Sequence, residues 1–217
     1  MNLPSHIKAV IFDLDGLLMD SEPLWGQVDF EMLGERGFKP TEELFRRRLG
    51  TGNKKTVEIY KEEFGLSDNV NAFAQERQER VFKLLDQHVP PMEGAETLVR
   101  SLADKEIKLA IATSGHHKER MQKILKELGI SNFISAIVTG EELERLKPFP
   151  DIFLHAAGKL NVNSQDCLVF EDAPNGIEAA KAAGMMAYGV NRDEETRRQL
   201  KEKGADNVFS SLLEVKI

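Results

Sequence analysis

Two carboxylates one residue apart, Asp13 and Asp15, close a short apolar run near the start of this 217-residue chain. The run is Ala9-Val-Ile-Phe12, and Gly16 follows the acids. Acids so close repel each other, and burial makes the repulsion worse. A site that keeps both supplies a cation. The same residues also fit a plainer arrangement, a strand running into an Asp-Gly turn with both acids solvated. The β-branched and aromatic run reads as a buried central strand. Its acids then stand at the C-terminal end, where open α/β sheets bind ligands.

Three further stretches carry groups suited to the same chemistry. Thr113-Ser114-Gly115 follows an apolar run and precedes a helical pattern. A hydroxyl and free N–H groups at a helix N-terminus can hold a phosphate, and Ser114 also fits a simple N-cap. Lys147 precedes Pro148 and Pro150. The prolines keep a helix from absorbing the lysine. It is therefore either a fixed charge turned toward the carboxylates or a solvated loop residue. Glu171-Asp172 follows Cys167-Leu-Val-Phe170 and leads into Ala-Pro-Asn-Gly176. Asp172 fits a helix cap there, or one wall of an oxygen-rich cage. Hard oxygen ligands of this kind suit Mg²⁺.

The elements that must position these groups fall into two patterns. From Pro23 to about Phe82 the chain reads as helical. Helices are expected over 24–36, from Pro40-Thr41 to Gly50, over 56–64 and over about 68–85, with Ser21 as capping hydroxyl before Glu22 and Pro23. Gln87 to Pro91 reads as a return linker. From Met92 helix and strand alternate: helices over 94–104, 117–129, 151–160 and 175–184, strands over 107–113, 134–139, 167–170 and 185–190. Such alternation implies parallel strands with right-handed crossovers. The expected architecture is a Rossmann-like, doubly wound α/β core of residues 1–18 and 90–217. A helical domain of residues 19–89 is inserted behind the first carboxylates, where an insert can act as a lid.

Composition narrows the function classes. With 36 acids against 29 bases the net charge is -7, which disfavours a nucleic-acid partner. It leaves room for an anionic small molecule, because a local lysine or metal can outweigh the global sign. The single cysteine, Cys167, excludes an intrachain disulfide and reads as a buried strand thiol, in keeping with a cytoplasmic setting. No membrane contact is expected, since no stretch is long and apolar enough to cross a bilayer and the early apolar run is too short for a signal peptide. No Cys/His grouping suggests zinc. His117 reads either as facing a phosphate or as a surface imidazole.

The ordered set Asp13-Leu-Asp15-Gly16, Thr113-Ser114, Lys147-Pro148 and Glu171-Asp172-Ala-Pro-Asn-Gly176 resembles the four motifs of the haloacid dehalogenase superfamily. The insert resembles its C1-type cap. Asp20-Ser-Glu-Pro-Leu-Trp25 and Phe170 to Ala180 look closest to the branch of sugar-phosphate phosphatases and β-phosphoglucomutases. The resemblance implies a Mg²⁺-dependent phosphatase of small phosphate esters, sugar or polyol phosphates, working as a monomer. Asp13 is then the nucleophile that forms an aspartyl phosphate, Asp15 the acid and base, and Lys147 the fixed cation. Ser114 and Gly115 hold the phosphoryl group. Asp13, the Asp15 carbonyl, Asp172 and Glu171 are the metal ligands, with Glu171 either direct or one shell out.

A dehalogenase would need neither Asp15 nor the Glu171-Asp172 pair. A phosphosugar mutase of this branch carries a cap His and a cap Arg where this chain has Trp25 and, nearby, Asn53, which favours hydrolysis. Trp25 reads either as stacking on a sugar face or as packing within the first inserted helix, and the Asn53 turn is expected to reach the leaving group. Arg46, Arg47 and Arg48 read as a mostly solvated helix end with one side chain toward the cleft. A non-catalytic protein that binds phosphorylated ligands is the remaining alternative.

Overall fold

The computed structural model describes residues 3–48, 51–115 and 118–216. The chain divides into two compact units, residues 1–20 with 90–217, and residues 21–89. The first is built on one sheet, formed by β1 (Ala9–Phe12), β2 (Lys108–Thr113), β3 (Ala136–Thr139), β4 (Cys167–Glu171), β5 (Met186–Val190) and β6 (Asn207–Phe209). All pairings are parallel, and the order is β3-β2-β1-β4-β5-β6. This is the doubly wound arrangement, whose strand order reverses at β1. The Rossmann-like α/β architecture read from the sequence is thus the one observed.

Why β1 lies at the centre follows from its residues. All four are buried, as a strand covered on both faces requires. The even pleat sends Phe12 to one face and Ile11 to the other. On the first face Phe12 stacks on Phe170 at 5.4 Å between ring centroids. Tyr188 and Phe209 continue the row at 5.6 and 5.7 Å, so one aromatic ladder ties β1, β4, β5 and β6. On the other face Ala9, Ile11, Ala112 and Val169 meet Ile152, Phe153 and Ala156 of α7 (Asp151–Leu160) and Ile177 and Ala180 of α8 (Pro174–Ala182). The small alanines let those helices sit close.

The second unit holds α1 (Glu22–Glu35), α2 (Glu42–Arg48), α3 (Asn53–Phe64) and α4 (Val70–Leu85). Its packing surrounds an ion cluster. Asp29 is fully buried. Arg77 of α4 clasps it with two bonds, Nε to Oδ1 at 2.5 Å and Nη2 to Oδ2 at 2.9 Å. Arg48 Nε lies 3.0 Å from Oδ2, and Arg48 Nη1 donates to Glu22 Oε2. Arg46 and Arg47 are exposed, so the expected solvated helix end holds for two of the three arginines. Tyr60 is buried in the same cluster, and burial together with the Asp29 charge pushes its phenol well up.

Several expectations shift. Ser21 makes no side-chain cap; its backbone is already helical, at φ -80° and ψ -15°, whereas a capping hydroxyl needs an extended backbone. Its carbonyl instead accepts from Leu24 and Trp25. Strand β3 starts two residues later than expected, behind a turn of 3₁₀ helix at Ser131–Phe133. Helix α9 (Glu194–Glu202) and β6 lie in a stretch for which the sequence suggested no element. The helix stop at Gly50 and His117 lie outside the described residues. Among the described residues no helix is long and apolar enough to cross a membrane.

Replacing Asp29 by Ala removes the one fully buried acid between two buried arginines. The substitution should cost about 3–5 kcal/mol, the usual price of stranding a buried charge. Equilibrium denaturant unfolding measures it, and a loss below about 1 kcal/mol would contradict this account.

Candidate active site

The first unit brings its site residues to the C-terminal ends of β1, β2 and β4. The β1 ladder continues one residue beyond the strand, with Asp13 N donating to Phe170 O at 3.0 Å. That bond fixes the Asp13 backbone, and its carboxylate is buried. Lys147 reaches it from the loop ahead of α7, with Nζ 2.5 Å from Asp13 Oδ1. The same ammonium donates to Glu171 Oε1 at 2.7 Å and to Ala112 O at 3.3 Å. An ammonium has three protons, and all three are placed. Lys147 is therefore a fixed charge and not a solvated loop residue. The Lys147-Pro148 peptide is cis.

Glu171 ends β4. Its Oε2 accepts the N–H groups of Asp172 at 2.7 Å and Ala173 at 3.1 Å. This folds the chain into α8, whose N-cap is Ala173, so the Asp172 carboxylate is not spent on capping. It lies instead against Gly16. A Cβ at Gly16 would stand 2.2 Å from Asp172 Oδ2, and φ is +77°. Both facts demand glycine at that position. A Cβ at Gly176 would meet Glu171 Oε1 at 1.6 Å. Each acid thus stands where a glycine leaves room for it.

Asp13, Glu171 and Asp172 each offer a carboxylate oxygen within 4.8 Å of the others. An all-oxygen set of this size fits a hard divalent cation such as Mg²⁺. The electrostatics agree. Burial raises Asp13 to about 7 against the pull of Lys147, with Glu171 and Asp15 adding to the rise. Desolvation and the Glu171 and Asp13 charges also push Asp172 well up. Burial opposes the charge on Lys147, but Asp13 and Glu171 outweigh it and hold the ammonium protonated. One lysine does not balance this group of acids.

Asp15 is half-buried beside the end of β2. Thr113 Oγ1 lies 3.5 Å from Asp15 Oδ2 and accepts from Gly115 N at 3.3 Å. Thr113 is thus a site residue to which the sequence reading gave no role of its own. Its place as the last residue of an inward-facing strand was the available signal. The Ser114 hydroxyl is buried with no hydrogen-bond partner among the described residues. Gly140, after β3, packs on the Ser114 carbonyl so closely that a Cβ there would come within 2.6 Å.

Trp25 and Asn53 belong to the helical unit and meet each other through Arg77. The guanidinium carbon stands 4.3 Å from the centre of the Trp25 ring. Arg77 Nη1 donates to Asn53 Oδ1 at 2.9 Å, and Asn53 Nδ2 donates to Ala74 O. Both polar ends of Asn53 are engaged inside the unit.

The model of the haloacid dehalogenase-like hydrolases matches residues 10–190. The chain belongs to that family. It is 36% identical over 204 residues to the phosphorylated carbohydrates phosphatase of Thermotoga maritima, covering 92% of each chain. It is 35% identical to the β-phosphoglucomutase of Bacillus subtilis, over 86% of this chain and 84% of that one. Among solved structures it resembles a putative β-phosphoglucomutase from Thermotoga maritima, with a TM-score of 0.76 and 32% identity over 93% of this chain and 94% of that one. The resemblance read from the four motifs is therefore correct at the level of the family.

A pH dependence follows from Asp13. With about 7 in the folded chain against a reference value of 3.8, the folded state holds a proton between those values that the unfolded state has released. Without divalent cations, stability should fall as pH rises through that window. Denaturant unfolding at pH 5 and pH 8 in chelator reads this slope, and Asp13→Asn should make it shallower, leaving the part that Asp172 contributes. An equal slope in both proteins would refute the assignment.

Proposed function

We propose that the protein is a Mg²⁺-dependent phosphatase of small phosphorylated metabolites, sugar or polyol phosphates, that works through an aspartyl phosphate. The observation that carries this reading is the Lys147 ammonium joined to both Asp13 and Glu171. It holds the nucleophile beside a cation at the mouth of the sheet.

A carboxylate is a poor nucleophile toward an anionic phosphate, so charge must be neutralised first. Asp13, Asp172, the Asp15 carbonyl and Glu171 are the residues to hold the metal. When bound it supplies charge neutralisation for the phosphoryl oxygens. Glu171 already uses three of its roughly four acceptor positions on Lys147 and two N–H groups. Its main work is thus to hold Lys147 and the loop. An Asp13 oxygen attacks phosphorus and the bond from phosphorus to the ester oxygen breaks. Asp15 gives its proton to the departing alcohol. Asp15, now a carboxylate, takes a proton from water, whose oxygen attacks the same phosphorus. The bond to Asp13 breaks and inorganic phosphate leaves. Ser114, through its unpartnered hydroxyl, and the Gly115 N–H hold the phosphoryl oxygens.

The helical unit, residues 19–89 on this reading, selects the leaving group, with Trp25 as an aromatic face; Asn53, expected to meet the leaving group, instead spends its amide on Arg77 and Ala74 and acts by holding Arg77. A phosphosugar mutase is the second reading, supported by the mutase relative. Against it, an indole offers only a donor and no group that titrates near neutral pH. A monomer in a reducing, cytoplasmic setting fits the single buried Cys167.

The test is phosphate release from hexose, pentose, polyol, glycolate and nucleotide monophosphates, with Mg²⁺ and with chelator. Metal-dependent release from a few sugar or polyol phosphates is expected. Asp13→Asn should lower turnover by on the order of 10³-fold or more. Isomerisation of β-glucose 1-phosphate without net release would favour the mutase. No turnover in the native protein, with ligand affinity kept in Asp13→Asn, would favour a binding protein.

A further inference from the structure

We infer that Asn191, outside all four motifs, is a positioning residue for the metal-ligand loop at Asp172. The inference rests on the reading of Asp172 as a metal ligand. Asn191 follows β5 directly, and its Nδ2 donates to the Asp172 carbonyl at 3.0 Å. The peptide on the other side of Asp172 is held by Glu171, through Asp172 N to Oε2. The residue is thus gripped at both backbone ends, while its carboxylate rests in the space left by Gly16. With these three restraints the carboxylate has a set position before any ligand arrives.

Asn191 is itself held at each polar group. Its N–H donates to Phe209 O at 3.0 Å, its carbonyl accepts from Arg197 Nη1 at 2.9 Å, and its Oδ1 accepts from Asp193 N at 2.9 Å. An oxygen facing the Asp193 N–H and an NH₂ facing the Asp172 carbonyl is the one amide orientation that satisfies both neighbours. Arg197 also donates to Arg192 O, fixing the turn that carries Asn191. The segment from Asn191 through α9 to β6 is therefore linked to the Asp172 loop by the Asn191 side chain. Partners behind a metal ligand commonly matter 10- to 100-fold in affinity.

The experiment is calorimetric titration of the 217-residue chain with Mg²⁺ alone, for the native sequence, Asn191→Ala, Asn191→Ser and Asp193→Ala. Asp193→Ala removes the cap that accepts from Thr196 N and Oγ1 at the start of α9, and it leaves the Asn191–Asp172 bond in place. It therefore reports on loosening of the segment as such. Melting curves establish that each variant folds. Both Asn191 variants should bind Mg²⁺ at least about tenfold more weakly. Asp193→Ala should stay within about twofold of native. At saturating Mg²⁺ the KM for a phosphate ester should be unchanged by either Asn191 substitution. Native affinity in the Asn191 variants, or an equal loss in Asp193→Ala, would overturn the inference. Absence of Mg²⁺ binding in the native chain is a separate result, which would remove the metal reading and this assignment with it.

Discussion

The Lys147 ammonium between Asp13 and Glu171 is the interaction on which the first unit's site depends. Three carboxylates converge where the strand order reverses, and water is largely excluded from two of them. Without a cation they would repel one another or take up protons. Lys147 answers part of that repulsion, and its third proton on the Ala112 carbonyl anchors it to β2. The glycines at 16 and 176 make the arrangement sterically feasible, each by the absence of a single carbon. Sheet topology brings the acids together; one lysine and two glycines let them stay.

The helical unit meets the converse problem with the same physics. Asp29 is buried between Arg77 and Arg48, and Glu22 shares the second guanidinium. Because the acid takes a bidentate clasp, both of its oxygens are satisfied inside the cluster. A planar guanidinium suits this task, and its face remains free to lie over the Trp25 ring. The charges of this cluster pair with one another, whereas at Lys147 three carboxylates converge on one ammonium. On the proposed reading that contrast places the chemistry in the first unit.

The sequence showed the architecture wherever burial imposes a period. Ala9–Phe12, Lys108–Thr113 and Cys167–Glu171 are apolar runs because both faces of each strand are covered, and their ends carry the acids and hydroxyls. The family resemblance followed from the same ends. Elements with one buried anchor stayed hidden. Helix α9 has only Leu200 buried, and β6 is three half-buried residues, so neither shows a repeating pattern. Single contacts were hidden too. Nothing in Arg46-Arg-Arg48 says which arginine turns inward, and nothing at Asn191 announces a bond to a carbonyl nineteen residues away.

The imbalance of charge also constrains the reaction. A phosphate ester brings further negative charge to a site that already holds Asp13, Glu171 and Asp172. On the proposed reading Asp13 must be ionised to attack, yet burial favours its protonated form. Lys147 lowers that barrier but is shared with Glu171. A carbon centre would need no more cation than this lysine, because it carries no charge to be overcome. A phosphoryl group would need more, and the carboxylate oxygens that make the difficulty are also the ligands a hard cation requires. The acids therefore act in two capacities that cannot be separated. On the proposed reading they hold off an anion when no metal is bound, and they would be the ligands through which a metal makes the site reactive.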